Sequence, residues 1–204
     1  NQGKGVASVA IAGATQISDL LGDVKAKIIE GLNPANTTAQ QSILNTDYTG
    51  LVAQVLNYVQ KAEFNGQNIL ESGGAALGVI ADVDGGALTI RAQDLEGTAY
   101  SQLNAQTLAS TTAASAALTQ VNVVITTVSV ALGQLGADNR GLDLQENFLG
   151  SISDALTEGL SAIVDADLAQ ESARLQALQV KQQLGVQTLS IANGSPQTIL
   201  GLFS

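Results

Sequence analysis

LTQVNVVITTVSVALGQLG, Leu118 to Gly136, is the stretch on which the fold turns. Its β-branched run from Val121 to Val130 favours a strand by propensity. Its spacing favours a helix, because Leu118, Val121, Ile125, Val128, Leu132 and Leu135 recur with the period of an α-helix. The same period runs on through Leu142, Leu149, Ile152, Leu156 and Ile163, and no proline interrupts the chain from Thr111 to Asn193. Periodicity sustained that long outweighs local preference. One long helix is therefore expected over about 111–163. Gly133, Gly136 and Gly141 weaken its middle, each by roughly 1 kcal/mol relative to Ala, and predict a bend or a close helix contact there.

Upstream, Val6, Val9, Ala10, Ile17, Leu20, Leu21, Val24, Ile28 and Leu32 follow helical spacing, placing a helix over about 3–32. Gly31 and Asn33-Pro34 end it, and the polar stretch NPANTTAQQ connects it to a second helix over about 39–62. Ile43, Leu44, Leu51, Val52, Val55, Leu56 and Val59 line one side of that second helix. Two helices joined by a short polar loop pack antiparallel. The pattern breaks at Asn65-Gly66, and Gly73-Gly74 mark irregular backbone. Apolar runs flank Asp84-Gly85-Gly86 in LGVIADVDGGALTIRAQ, the composition of a β-hairpin over about 75–95. Residues 95–110 carry no clear pattern. The chain thus reads as mainly α, an elongated antiparallel helical rod with a small β-hairpin on its side.

Composition narrows the function. The chain has 204 residues and a net charge of −10, which disfavours nucleic acid and anionic membranes as partners. Aromatics are 3%, which suits slender helix packing better than a bulky core. With no Cys and no His, thiolate and imidazole metal sites are impossible, as are Ser-His and Cys-His nucleophile systems. No enzyme and no cofactor are expected. No single apolar run approaches the roughly 20 residues of a membrane span, so no membrane insertion is expected, and no signal peptide is visible although the chain starts at Asn1.

The carboxyl end, 165–204, is a second region. On a helical wheel with Leu175 at zero, Leu168, Leu178, Val186 and Leu189 fall within about 60° of it. Ala173, Ala177, Val180, Leu184 and Ile191 fall roughly 140–200° away. A surface helix ordinarily has one apolar stripe. Two opposed stripes, followed by Ile199, Leu200, Leu202 and Phe203, call for partners on both sides. A central helix of the protein's own bundle would satisfy the pattern too, but terminal elements usually lie at the surface.

These residues carry a resemblance. AEFNGQNIL (Ala62 to Leu70) resembles the flagellin segment that closes the second amino-side helix of the rod domain. Val164 to Ser204 is similar along its length to the flagellin carboxyl end, through Asp165-Ala166-Asp167, Gln182-Gln183, an Ala192-Asn193 turn, Pro196-Gln197 and the apolar finish Ile199 to Phe203. LGQLGADNRGLD matches the family's long carboxyl-side rod helix at Leu135, Gly136, Asn139 and Arg140. The chain looks like the short flagellins of alphaproteobacteria.

The resemblance implies a rod domain over 1–164 and a coiled-coil-type assembly helix and tail over 165–204. It also implies a filament subunit that supports motility, is exported unfolded without a cleaved signal, and lies outside the cell in the flagellum. Implied partners are other flagellin subunits, an export chaperone, and hook-associated and cap proteins. The family's amino-terminal coiled-coil helix has no counterpart here, so the chain is expected to lack that first portion. The family often carries an Arg-rich motif on the first rod helix, read by a Toll-like receptor. DLLGDVKAKIIEGLN (Asp19 to Asn33) has no Arg, so weak or absent recognition is expected.

Other readings are weighed against these. A cell-surface adhesin or glycan-binding homologue would use the hairpin and residues 95–110, but few aromatics make a poor carbohydrate platform. DVDGG lacks the further ligands of a calcium loop and reads as a hairpin turn. Asp165 and Asp167 read as carboxylates favouring a helix start rather than an acid/base pair. Asn193-Gly194-Ser195 matches a glycosylation sequon in a region where a glycan would block packing. Ser101, Ser110, Thr111 and Thr112 are better candidates for O-linked sugar.

Overall fold

The structure is a computed structural model that describes residues 2–82 and 85–200, with side chains up to residue 192. Its elements are α1 (Gln2–Gly31), α2 (Thr38–Lys61), the strand pairs β1 (Glu63–Phe64) with β2 (Gln67–Asn68) and β3 (Leu77–Ile80) with β4 (Ala87–Ile90), a π-helical turn (Glu96–Tyr100), α3 (Ser101–Asn104) and α4 (Thr111–Leu200). The fold is mainly α, with the expected helices starting and ending within a residue or two of their expected bounds, except at the end of the last.

That exception is a correction. The expected helix end near Ile163 and the turn at Ala192-Asn193 are absent, because helical backbone runs on to Leu200. Without proline before Pro196, nothing in the sequence forces a stop. The expected close contact at Gly133, Gly136 and Gly141 is absent too. A Cβ at any of the three would meet nothing within 4 Å, and the helix continues through them. Asp165 and Asp167 consequently lie inside a helix rather than at its start, so a dipole argument does not explain them.

Two compact units divide the chain, Asn1–Phe148 and Leu149–Ser204. The core of the first is a set of heptad seams. Gly3, Ala7, Ala10, Ala14, Ile17, Leu21, Val24, Ile28 and Gly31 are buried on α1, and their alternating steps of four and three are those of a coiled-coil seam. Tyr48, Val52, Val55 and Val59 do the same on α2, and Ala114, Ala117, Val121, Val124, Val128, Ala131, Leu135 and Leu142 on α4. The small residues let backbones approach closely: a Cβ at Gly13 would meet the Ala62 Cβ at 2.8 Å. Burial of Val121, Val124 and Val128 in the seam overrides the β-branched run's strand preference, while its Thr hydroxyls donate to carbonyls one turn earlier, Thr126 to Asn122 and Thr127 to Val123, both 3.1 Å.

Directions follow from named contacts. Gly13 on α1 lies beside Ala62 and Tyr58, while Lys27 Nζ lies 3.9 Å from Asp47 Oδ2, so α1 and α2 are antiparallel. Gly31 lies beside Ala114, and Lys4 pairs with Asp143 and Glu146, each at 2.7 Å, so α1 and α4 are antiparallel as well. Thr37 caps α2 in a reciprocal box, its backbone N–H donating to Gln40 Oε1 at 2.8 Å while its Oγ1 accepts from the Gln40 N–H at 3.3 Å.

The expected hairpin is β3–β4, antiparallel with Leu77 opposite Ile90 and Ile80 opposite Ala87. Asp82 Oδ1 accepts from the Gly86 N–H at 2.7 Å, a turn-closing use of the carboxylate in DVDGG, while Val83 and Asp84 lie outside the described residues. Asn65 and Gly66, at φ 52° and 78°, turn a second, two-residue-long hairpin, β1–β2. Positive φ at both positions is what Asn-Gly supplies. Residues 95–110 acquire structure from long-range bonds. The Leu95 N–H donates to Leu70 O at 2.9 Å, Tyr48 Oη to Leu103 O at 2.6 Å, and the Leu108 N–H to Asn45 Oδ1 at 2.7 Å.

The hydropathy expectation also needs correcting. Gln2–Gly31 and Thr111–Ala192 are long and apolar enough to cross a membrane by length and composition, with mean hydropathy 1.2 and 1.6 in their best windows. Ala, Val and Thr with few charges raise the average without forming one unbroken apolar run. The buried heptad faces show that up to Leu142 this apolar character serves helix packing.

Candidate assembly surface

In the second unit, Leu149–Ser204, every side chain with a described environment is exposed. Leu168, Leu175, Leu178, Val180, Leu184, Val186, Leu189 and Ile191 are all more than half exposed, with Ile191 at 68%. The backbone is helical at each of these positions, as the two-stripe wheel requires. Ile199 and Leu200 have helical backbone but undescribed side chains, and Leu202 and Phe203 lie outside the described residues. The sequon at Asn193 likewise has no described side chain.

A further apolar series was not singled out as a site in the sequence. The three-four spacing that is buried up to Leu142 continues as Leu149, Ile152, Leu156 and Ile163, which are exposed, with Leu160 beside them. The spacing itself signals these residues. Their exposure does not follow from it.

Charge is sparse here. Arg174 Nη1 lies 3.3 Å from Glu171 Oε1, an i,i+3 pair fully in solvent, which adds little to stability. A shallow groove is lined by Gln179, Gln182, Gln183, Val186, Gln187 and Ser190. All six belong to one helix, so the groove is open helix surface rather than an enclosed cavity. Among the described residues no cluster of three or more His, Cys, Asp or Glu side chains could hold a metal ion. Ser101, Ser110 and Thr112 are exposed and Thr111 half-buried.

A helix bearing this many unpaired Leu, Ile and Val side chains can do one thing well. It can bury them against other apolar helices, at roughly 1.5–3 kcal/mol for each fully covered side chain before the costs of association.

Comparison with known proteins agrees with this chemistry. Residues 118–203 match the family model described as the bacterial flagellin C-terminal helical region. The chain is 40% identical to flagellin FljO of Caulobacter vibrioides over 205 aligned positions, covering 99% of this chain and 74% of that protein. It is 32% identical to a flagellin of Brucella melitensis, covering 98% of this chain and 75% of the relative. The crystal structure of Bacillus cereus flagellin superposes with a TM-score of 0.65 at 19% identity, covering 71% of this chain and 84% of the other, which speaks to the fold. The chain belongs to the bacterial flagellin family.

Proposed function

We propose that α4 beyond Phe148 is the surface through which this flagellin polymerises. As a flagellin, the chain is a structural subunit of the bacterial flagellar filament, outside the cell, and its partners there are other flagellin subunits. The observation that supports the assignment of the surface is the unbroken series of exposed large apolar side chains from Leu149 to Ile191.

The mechanism follows from the wheel. The stripe of Leu168, Leu175, Leu178, Val186 and Leu189 docks on one helix, and the opposed stripe of Val180, Leu184 and Ile191 docks on another. Ile199, Leu200, Leu202 and Phe203 extend the same role to the end of the chain. Within that surface the assembly helix and tail cover 165–204, and the stripe Leu149 to Ile163, at the end of a rod region over 1–164, is covered in the filament as well. An isolated helix of this kind is stabilised by its partners through mass action, so subunit addition and tail ordering are coupled.

Export unfolded through the flagellar secretion channel, without a cleaved signal, fits a subunit whose carboxyl end is apolar and must be kept from premature association. An export chaperone would cover that end, and hook-associated and cap proteins would meet it at the two filament termini. The absence of Arg from Asp19 to Asn33 supports weak reading by the Toll-like receptor. Elongation from filament seeds, followed by electron microscopy, tests the proposal. Aspartate at Leu184 or Leu189 is expected to stop growth, and normal growth of either variant would refute the two-partner surface.

A further inference from the structure

Three polar contacts join the β3–β4 region to one face of α4. Gln93 Nε2 donates to Gln134 Oε1 at 2.9 Å, and Gln145 Nε2 donates to Ala81 O at 2.7 Å. Between them Arg91 grips Asp138 three times. Its backbone N–H donates to Oδ2 at 3.0 Å, its Nε to Oδ2 at 3.2 Å and its Nη2 to Oδ1 at 2.8 Å. Asp138 is only 11% exposed, whereas Arg91 is 52% exposed. Gln134, Asp138 and Gln145 lie within about 40° of one another around the helix.

The same span of α4 holds Gly133, Gly136 and Gly141, and a Cβ at each would meet nothing within 4 Å. These glycines therefore serve no close packing, yet each lowers helix propensity in the span. The span nevertheless stays helical throughout. Local opening concentrates where intrinsic stability is lowest, so the seam packing of Leu135 and the hairpin's contacts must together offset three glycines within nine positions of one helix.

We propose that the β3–β4 hairpin is a splint for the glycine-weakened span of α4 from Gly133 to Gly141, fastened chiefly by Arg91 on Asp138. Strand β4 is anchored independently of the splint, because Ile90 is fully buried and the Gln93 N–H donates to Ile69 O at 2.7 Å. Arg91 thus reaches α4 from a fixed base. The bidentate, charge-assisted geometry gives the grip its direction as well as its strength. With the splint in place the span behaves as ordinary helix. Released, it becomes the place where α4 opens first. The hairpin is therefore a stiffness control for the long helix.

Hydrogen exchange of the whole chain, read residue by residue, tests this. Arg91→Ala is expected to speed exchange of amides in 133–145 about three- to tenfold, with the seams of α1 and α2 unchanged. Asp138→Ala is the sharper variant, because Ala is the better helix former and propensity alone would slow exchange there. Faster exchange in that variant supports the splint. Adding Gly133→Ala, Gly136→Ala and Gly141→Ala to Arg91→Ala is expected to restore most of the protection. Unchanged exchange in 133–145, loss confined to 77–90, loss spread evenly over 2–148, or failure of the alanines to restore protection would each overturn the proposal.

Discussion

Lys4 Nζ donates to Glu146 Oε2 at 2.7 Å and lies equally close to Asp143 Oδ1, joining the first turn of α1 to α4 across 142 positions of sequence. The two carboxylates raise the ammonium's pKa by hydrogen bonding. This clasp stands where burial on α4 ends: Leu142 is buried, Leu144 is exposed, and so are the large apolar residues described after it, as far as Ile191. Both partners are in solvent, so the pair fixes register more than it adds stability. Lys4→Ala is expected to leave the thermal midpoint nearly unchanged while speeding hydrogen exchange in the second turn of α1, whose amides bond back to the first.

Tyr48 is fully buried, and its hydroxyl satisfies the Leu103 carbonyl. Tyr48→Phe would remove one of that carbonyl's bonds while the Gln106 N–H, at 2.9 Å, keeps it paired, and is expected to destabilise the first unit by about 0.5–1.5 kcal/mol in urea unfolding. Burial pushes the Tyr48 pKa from 10.0 to about 12. A folded value above the unfolded one means that the unfolded state loses its proton first as pH rises. This tyrosine's contribution to stability is therefore full below pH 10.0 and falls toward pH 12. Tyr48→Phe is expected to lose this tyrosine's share of the alkaline slope in pH-dependent unfolding.

Burial pushes the Asp138 carboxyl up, but Arg91 beside it wins and holds it below the ordinary value. A depressed folded pKa contributes stability above the unfolded value of about 4, lost as pH falls through the folded value. Acid unfolding of Asp138→Asn is expected to be shallower than that of the parent protein in that window.

Helix glycines sort by their surroundings. Gly22 and Gly50 have nothing within 4 Å of an added Cβ, so Gly22→Ala and Gly50→Ala are each expected to stabilise by about 0.5–1 kcal/mol. At Gly13 the added carbon would stand 2.8 Å from the Ala62 Cβ, so Gly13→Ala is expected to destabilise despite its better propensity. Thermal unfolding of the three variants checks both signs.

Most of the helical frame was legible because apolar spacing is a backbone-period signal. Val6, Ile17, Leu21, Val24 and Ile28 are buried as that spacing requires. The small seam residues were less legible. Ala7, Ala14, Ala114 and Ala117 are buried by close helix approach, which one helix's own pattern does not reveal. Ile43 fits the stripe of α2 yet is 62% exposed, since nothing in its own segment says how far the neighbouring helix extends. The π-helical turn and α3 were illegible because their bonds to Leu70, Tyr48 and Asn45 span long sequence separations. The apolar tail stripes were legible as spacing, and their role came from the family resemblance.

Both stripes of the tail are expected to be buried in the filament. The most direct measurement is seeded elongation by the full encoded protein carrying Leu184→Asp or Leu189→Asp, compared by electron microscopy with the parent protein. Leu184 is 56% exposed and Leu189 66%, so a buried charge arises only on assembly and the helicity of the subunit stays nearly intact. Neither variant is expected to elongate seeds under conditions where the parent protein does. Normal filaments from either variant would contradict that burial.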